Sequence, residues 1–250
     1  MSEAIKNRTN EDILWPSKVD IITVGLSSLW SIAAGFLGGL FTLLFTYIFA
    51  GSLQTSTILP YILSLVGFFA VLLTTSVTFV LNRLLNAEKY KVWSVVLGQM
   101  AILSIFLYIL VTPLYVYINW VRPDFLIFAF LFHILLNVLA TSLVSEILSS
   151  YRYVLLSLYG SFIGFFVASI LSVVFFMNLS NSKIALFSLM GVIVVINFVI
   201  TLFRSLFEYV YYTIYTKTGT DHLWDIFAQI ENEEKDLVAK AEKELATFNS

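Results

Sequence analysis

His133 and Asn137 stand four residues apart within an apolar segment, Phe125–Leu148. That spacing puts both on one face of a helix. An imidazole beside a carboxamide can hold a water molecule, bind a polar substrate or relay a proton. A neutral histidine hydrogen-bonded to a neighbouring helix explains the same pair, and is the preferred reading. Glu146 lies near the end of that segment. Residues 133, 137, 141, 144 and 148 form one stripe, from which Glu146 is displaced. Its natural partner is Arg152 or a cation at headgroup level. Asn197 lies within another apolar segment and needs a partner from a different helix, for which Thr74, Thr75, Ser76 and Thr78 offer hydroxyls. Arg204 and Glu208, at i and i+4, form a modest helix-stabilising pair, with the arginine reaching toward headgroups.

Reaction chemistry is hard to build from these residues. There are two histidines in all, and His222 is distant from His133. Neither sits in an HExxH pattern or beside an aspartate placed for a Ser–His–Asp triad. No P-loop, GxGxxG or pair of intramembrane aspartates occurs. Cysteine is absent, which excludes disulfides, thiolate metal sites and cysteine nucleophiles. The expectation is a non-enzyme with no cofactor and no metal. The net charge of −2 supplies no basic field for nucleic acid.

The elements that must position these residues are apolar helices. Only nine charged residues occur between Ile21 and Phe203. Over the whole chain 12% of residues are charged, against about 25% in soluble proteins. No water-soluble fold can cover so much apolar surface. A bilayer span needs about 20 apolar residues to cross roughly 30 Å. Six segments qualify: Ile21–Ala50, Ile58–Leu81, Trp93–Ile118, Phe125–Leu148, Val154–Met177 and Ile184–Phe203. They lack the alternation of a membrane barrel, so each is read as a helix. The first is too long for a signal peptide and is read as a retained span. Ser17-Lys18-Val19-Asp20 has the form of a capping box before it. Pro60 falls in the first turn of the second helix, where its missing N–H costs little. Pro113 removes one backbone bond from the third.

Lysine and arginine fix the expected orientation. With the N-terminus inside, inner segments hold nine of them outside the distal tail, and outer loops hold only Arg122 and Lys183. Both termini therefore face the cytoplasm. A bacterial inner membrane is the default location for a polytopic chain of this size. Trp93, Trp120, Tyr115, Tyr209, Tyr211 and Tyr212 fall where an interfacial aromatic belt belongs.

Two stripes of small residues recur at every fourth position: Ser27, Ser31, Gly35 and Gly39, then Gly160, Gly164, Ala168 and Ser172. Such stripes let helix backbones approach closely in lipid. Packing within one subunit is favoured over a dimer seam. A glycine-lined path is a third reading.

The chain thus divides into a cytoplasmic segment 1–20, a six-helix bundle 21–216 and a cytoplasmic amphipathic helix 217–250. The fold class is all-α and polytopic. In the tail, Leu223, Phe227, Ile230, Glu234, Leu237, Ala241, Glu244 and Phe248 recur at alternating steps of four and three, six of the eight apolar, as in an amphipathic helix or short coiled coil. Eight acids and four lysines lie between Lys217 and Ser250. That acidic balance argues against an anionic membrane surface, so residues 221–250 are expected to meet protein: the bundle's own loops, a second copy or another component. The segment 83–91, with Arg83, Lys89 and Lys91, is the electrostatic complement.

The leading functional expectation is a membrane scaffold or accessory subunit that docks a partner through this helix. Its ground is the scarcity of buried polar groups, which an ion or sugar path would need. The alternative is a transporter or channel subunit with a polar path near His133, Asn137 and Asn197. An intramembrane enzyme acting on lipid ranks last, because acid–base pairs are missing.

Overall fold

The structure, a computed structural model, describes residues 19–48, 58–85, 93–149, 154–179 and 185–218. Six long helices account for nearly all of these: α1 (Ile21–Ile48), α2 (Leu59–Leu85), α3 (Trp93–Val121), α4 (Leu126–Ser149), α5 (Val154–Leu179) and α6 (Ala185–Thr218). Each contains a stretch long and apolar enough to cross a membrane. The expected tail helix, with Leu223, Phe227, Ile230, Leu237, Ala241 and Phe248, lies outside the described residues, as do Arg152, Lys89 and Lys91.

Local chemistry sets the helix ends. The Asp20 carboxylate accepts the Ile21 N–H at 2.8 Å, and its carbonyl accepts the Val24 N–H at 3.2 Å. Asp20 is therefore the N-cap, three residues later than the capping box read from Ser17. Pro60 is the second residue of α2. A short 3-10 turn, Pro123–Phe125, joins α3 to α4; the Phe125 N–H donates to Arg122 O at 3.0 Å. The Arg122 guanidinium lies 4.9 Å from the Phe125 ring centre. α3 runs through Pro113 without a break. α6 continues past Phe203 to Thr218, immediately before Gly219.

Packing clusters the chain into two units, residues 1–210 and 211–250. Within the first, the even-numbered helices are central. Their apolar windows are 56% buried, against 33%, 28% and 28% for α1, α3 and α5. Val66 and Val71 of α2, Phe130 and Ile134 of α4, and Ile193 and Ile196 of α6 form the middle of the core. The odd-numbered helices flank it and turn large apolar side chains outward, among them Leu29, Leu44, Phe106, Ile109, Phe166 and Ile170.

Both small-residue stripes bring their helices against α6. A Cβ added to Gly35 of α1 would lie 2.8 Å from Val194 Cα, and one on Gly39 would overlap Met190. On α5, a Cβ at Gly160 would lie 2.7 Å from Phe203 O, and one at Gly164 would lie 2.9 Å from Ile200 Cα. Backbone meets backbone at all three α6 positions other than Met190, and these contacts are within one chain. Ser27, Ser31, Ala168 and Ser172 of the same stripes are buried as well. Gly38, adjacent to the first stripe, faces α2 instead, at Ala70 and Thr74.

Candidate functional site

The site is built on one face of α4. His133, Asn137, Thr141 and Ser145 follow at steps of four, and all four are buried. At 1.5 Å per residue the column is about 18 Å long. It departs from the sequence reading at its end. The stripe steps to Ser145 rather than to Val144 and Leu148, and Leu148 is exposed. Glu146 is fully buried one residue beyond Ser145, so the carboxylate borders the column at its C-terminal end.

At the N-terminal end of the column, His133 Nδ1 and Tyr115 Oη of α3 are hydrogen-bonded at 3.3 Å, with the rings edge-on. Gly67 of α2 gives the imidazole its room, since a Cβ there would lie 2.9 Å from Nδ1. Tyr115 is fully buried, which corrects its placement in an interfacial belt. Its hydroxyl has a polar partner in the interior and needs none at the headgroups. Trp120, by contrast, is 84% exposed. One turn along, Ser104 of α3 donates to Asn137 Oδ1 at 3.0 Å. His133 Nε2 and Asn137 Nδ2 are buried with no hydrogen-bond partner among the described residues.

Asn197 of α6 links three helices. Its Nδ2 donates to Ser31 O of α1 at 2.8 Å and to Thr78 Oγ1 of α2 at 2.9 Å. Thr78 is among the four α2 hydroxyls the sequence offers as partners. The Ser31 carbonyl is reachable because the small stripe lets α1 lie close to α6. Nearby, Ser27 donates to Asn82 Oδ1 at 2.8 Å, and Ser205 donates to Ser27 at 3.3 Å. Asn82 escapes the sequence reading because it lies beyond the expected end of the second span, whereas α2 continues to Leu85.

Arg204 and Glu146 meet at 3.5 Å, Nη1 to Oε1, with side chains 7% and 0% exposed. The same Nη1 donates to Ser142 Oγ at 3.2 Å. One expectation is corrected here, and Arg152, the partner expected for Glu146, lies outside the described residues. Glu146 pairs with Arg204 across helices, and Arg204 turns inward rather than toward headgroups. Gly160 lets the α6 backbone at Phe203 and Arg204 seat directly on α5. Glu208, one turn beyond Arg204, is also buried. Desolvating two such charges costs several kcal/mol each, offset by their attraction and by hydrogen bonds such as that from Ser142.

Between the column and α6 lies a cavity of about 20 Å³. Its wall includes Thr75, Thr78 and Asn82 of α2, Thr141, Ser142 and Ser145 of α4, and Asn197, Thr201 and Arg204 of α6. Thr75, Thr78, Thr141 and Ser145 donate to carbonyls of their own helices at 2.7–2.8 Å. Their protons are thereby committed, and their oxygens face outward as acceptors. Among the described residues, no three of His, Asp and Glu gather in a metal-binding group.

No protein-family model, curated protein or solved structure matches this chain. The site must therefore be read from its own geometry.

Proposed function

We propose that the chain is an integral membrane protein and the core of a small transporter or channel subunit. The polar path runs along α4, through the cavity to the Glu146–Arg204 pair. That pair carries the reading. Ionisable groups in an apolar bundle are costly, and where they persist they mark ion, proton or substrate paths. The outward Leu, Ile and Phe side chains of α1, α3 and α5 support lipid as the surrounding solvent. The lysine and arginine distribution supports cytoplasmic termini, with a bacterial inner membrane as the default location. The objection from scarce polar groups loses its force, because Asn82, Ser104, Thr75, Thr78 and Thr201 are buried alongside His133, Asn137 and Asn197. No catalytic role and no cofactor are proposed.

Reconstitution into liposomes loaded with pH- and ion-sensitive dyes tests this reading. Wild-type protein should dissipate an imposed gradient faster than empty liposomes, and a folded Glu146→Gln/Arg204→Gln variant should lose that excess. Folded wild-type protein that adds nothing to the leak of empty liposomes, for protons or for small ions, refutes the transport reading.

A docking role through residues 221–250 is the second reading. It rests on the apolar pattern from Leu223 to Phe248 and on the length of α6. At 34 residues, α6 exceeds the roughly 20 that a bilayer requires. Deleting residues 221–250 should abolish co-purification of a partner, or self-association, without unfolding the bundle. Unchanged association after the deletion rules docking out.

A further inference from the structure

The cavity beside Arg204 has a polar wall that the internal hydrogen bonds leave incomplete. Asn82 uses Oδ1 to accept from Ser27, and its buried Nδ2 has no partner among the described residues. Asn197 uses Nδ2 for both of its bonds, so its Oδ1 remains as an acceptor. Thr201 lines the same cavity. These three side chains are 5%, 2% and 2% exposed. A buried amide group left without a partner costs about 1–3 kcal/mol. The fold therefore gains from whatever completes these bonds.

The mixture of donors and acceptors selects the guest. An anion would be repelled by Asn197 Oδ1 and by the hydroxyl oxygens of Thr75 and Thr141, whose protons point into their own helices. A cation would face the Asn82 N–H and the Arg204 guanidinium. A neutral molecule that both donates and accepts fits every group. Size makes the same choice, because a water molecule needs a cavity of at least about 10–15 Å³ and two to four polar partners. A volume of about 20 Å³ admits one or two waters.

We infer that this cavity is a water-binding site, in which internal water bridges Asn82 Nδ2 on α2 to Asn197 Oδ1 and Thr201 Oγ1 on α6. The bridge joins two of the three central helices where no direct side-chain bond connects these groups. It also places water at the wall that Arg204 shares. The inference does not depend on transport; a hydrated joint would serve a docking protein equally.

Met100 provides a reporter. It lines the same cavity and is 1% exposed, so bulk solvent does not reach it. A short X-ray pulse generates hydroxyl radicals from water; a radical formed from a water held against Met100 adds to its thioether, and dissolved dioxygen takes the second electron, with loss of a proton, to leave the sulfoxide. The experiment uses the full-length protein in nanodiscs, pulsed after brief mixing with oxygen-18 water and analysed by mass spectrometry. Met100 should be oxidised in the folded wild type. Thr201→Val and, separately, Asn82→Leu should each lower that oxidation several-fold while the protein stays folded. A Met100 that resists oxidation in the folded protein, yet reacts in the unfolded chain, shows a dry cavity and overturns the inference. Equal oxidation in wild type and both folded variants also overturns it, since these side chains would then not be holding the water.

Discussion

Replacing Gly164 by alanine tests the packing on which the whole site depends. The new Cβ would lie 2.9 Å from Ile200 Cα, 3.2 Å from Phe203 Cβ and 3.3 Å from Val199 O. Ordinary contact begins near 3.4 Å, so α5 and α6 must separate by several tenths of an ångström. Backbone atoms cannot swing aside as a side-chain terminus can. Overpacking of this kind costs about 1–3 kcal/mol. Alanine recovers up to about 1 kcal/mol of helix propensity, so the net loss is roughly 0–2 kcal/mol. Gly98 on α3 is the internal control, because a Cβ there meets nothing within 4 Å. Gly98→Ala keeps the propensity gain without the clash and should be neutral or stabilising by about 1 kcal/mol. The two variants should therefore differ by about 1–3 kcal/mol, which corresponds to several degrees in Tm for a chain of this size. Thermal unfolding in mild detergent, followed by size-exclusion chromatography, reads the difference. Gly164→Leu should be worse than Gly164→Ala. If Gly164→Ala and Gly98→Ala unfold together, the close approach of α5 to α6 is wrong, and with it the route that brings Arg204 to Glu146.

Further outcomes follow from the same contacts. Glu146→Ala or Arg204→Ala alone should destabilise by about 3–5 kcal/mol, since each breaks a buried ion pair, whereas the double variant should lose much less than the sum in a double-mutant cycle. Tyr115→Phe should cost about 0.5–1.5 kcal/mol by removing the hydroxyl bonded to His133, and Tyr115→Phe/His133→Phe should cost no more than the two changes summed. Asp20→Ala should cost about 1 kcal/mol; because the cap lies at the helix end, hydrogen exchange should quicken at Ile21–Val24 while the core amides keep their protection. A destabilisation by Asp20→Ala spread evenly over the core would contradict that local role.

The positions of all six helices were legible in the sequence, because apolar stretches of some 20 residues between polar breaks permit little else. The ends were legible to within a few residues, except where polar residues joined the interior. Asn82 and Arg204 both lie just past the expected span boundaries, and both turn inward. Hydropathy alone ends a span at such residues, because it cannot register a partner supplied by another helix. The spacing of small residues likewise marked two faces of close approach. That α6 is the helix both faces meet follows only from the three-dimensional path.

What the amino-acid order determined by itself was local: helix, length, face and cap, each set by neighbours within about a turn. What only the tertiary structure decided was pairing. Arg204, 58 residues from Glu146 in sequence, lies 3.5 Å from it in space. Asn197 had four hydroxyls to choose among, and it found Thr78 together with a backbone carbonyl exposed by a small-residue face. Hydrogen bonds and ion pairs act over a few ångströms, so the partner of a buried polar group is fixed by how the helices cross, and sequence distance carries almost none of that information.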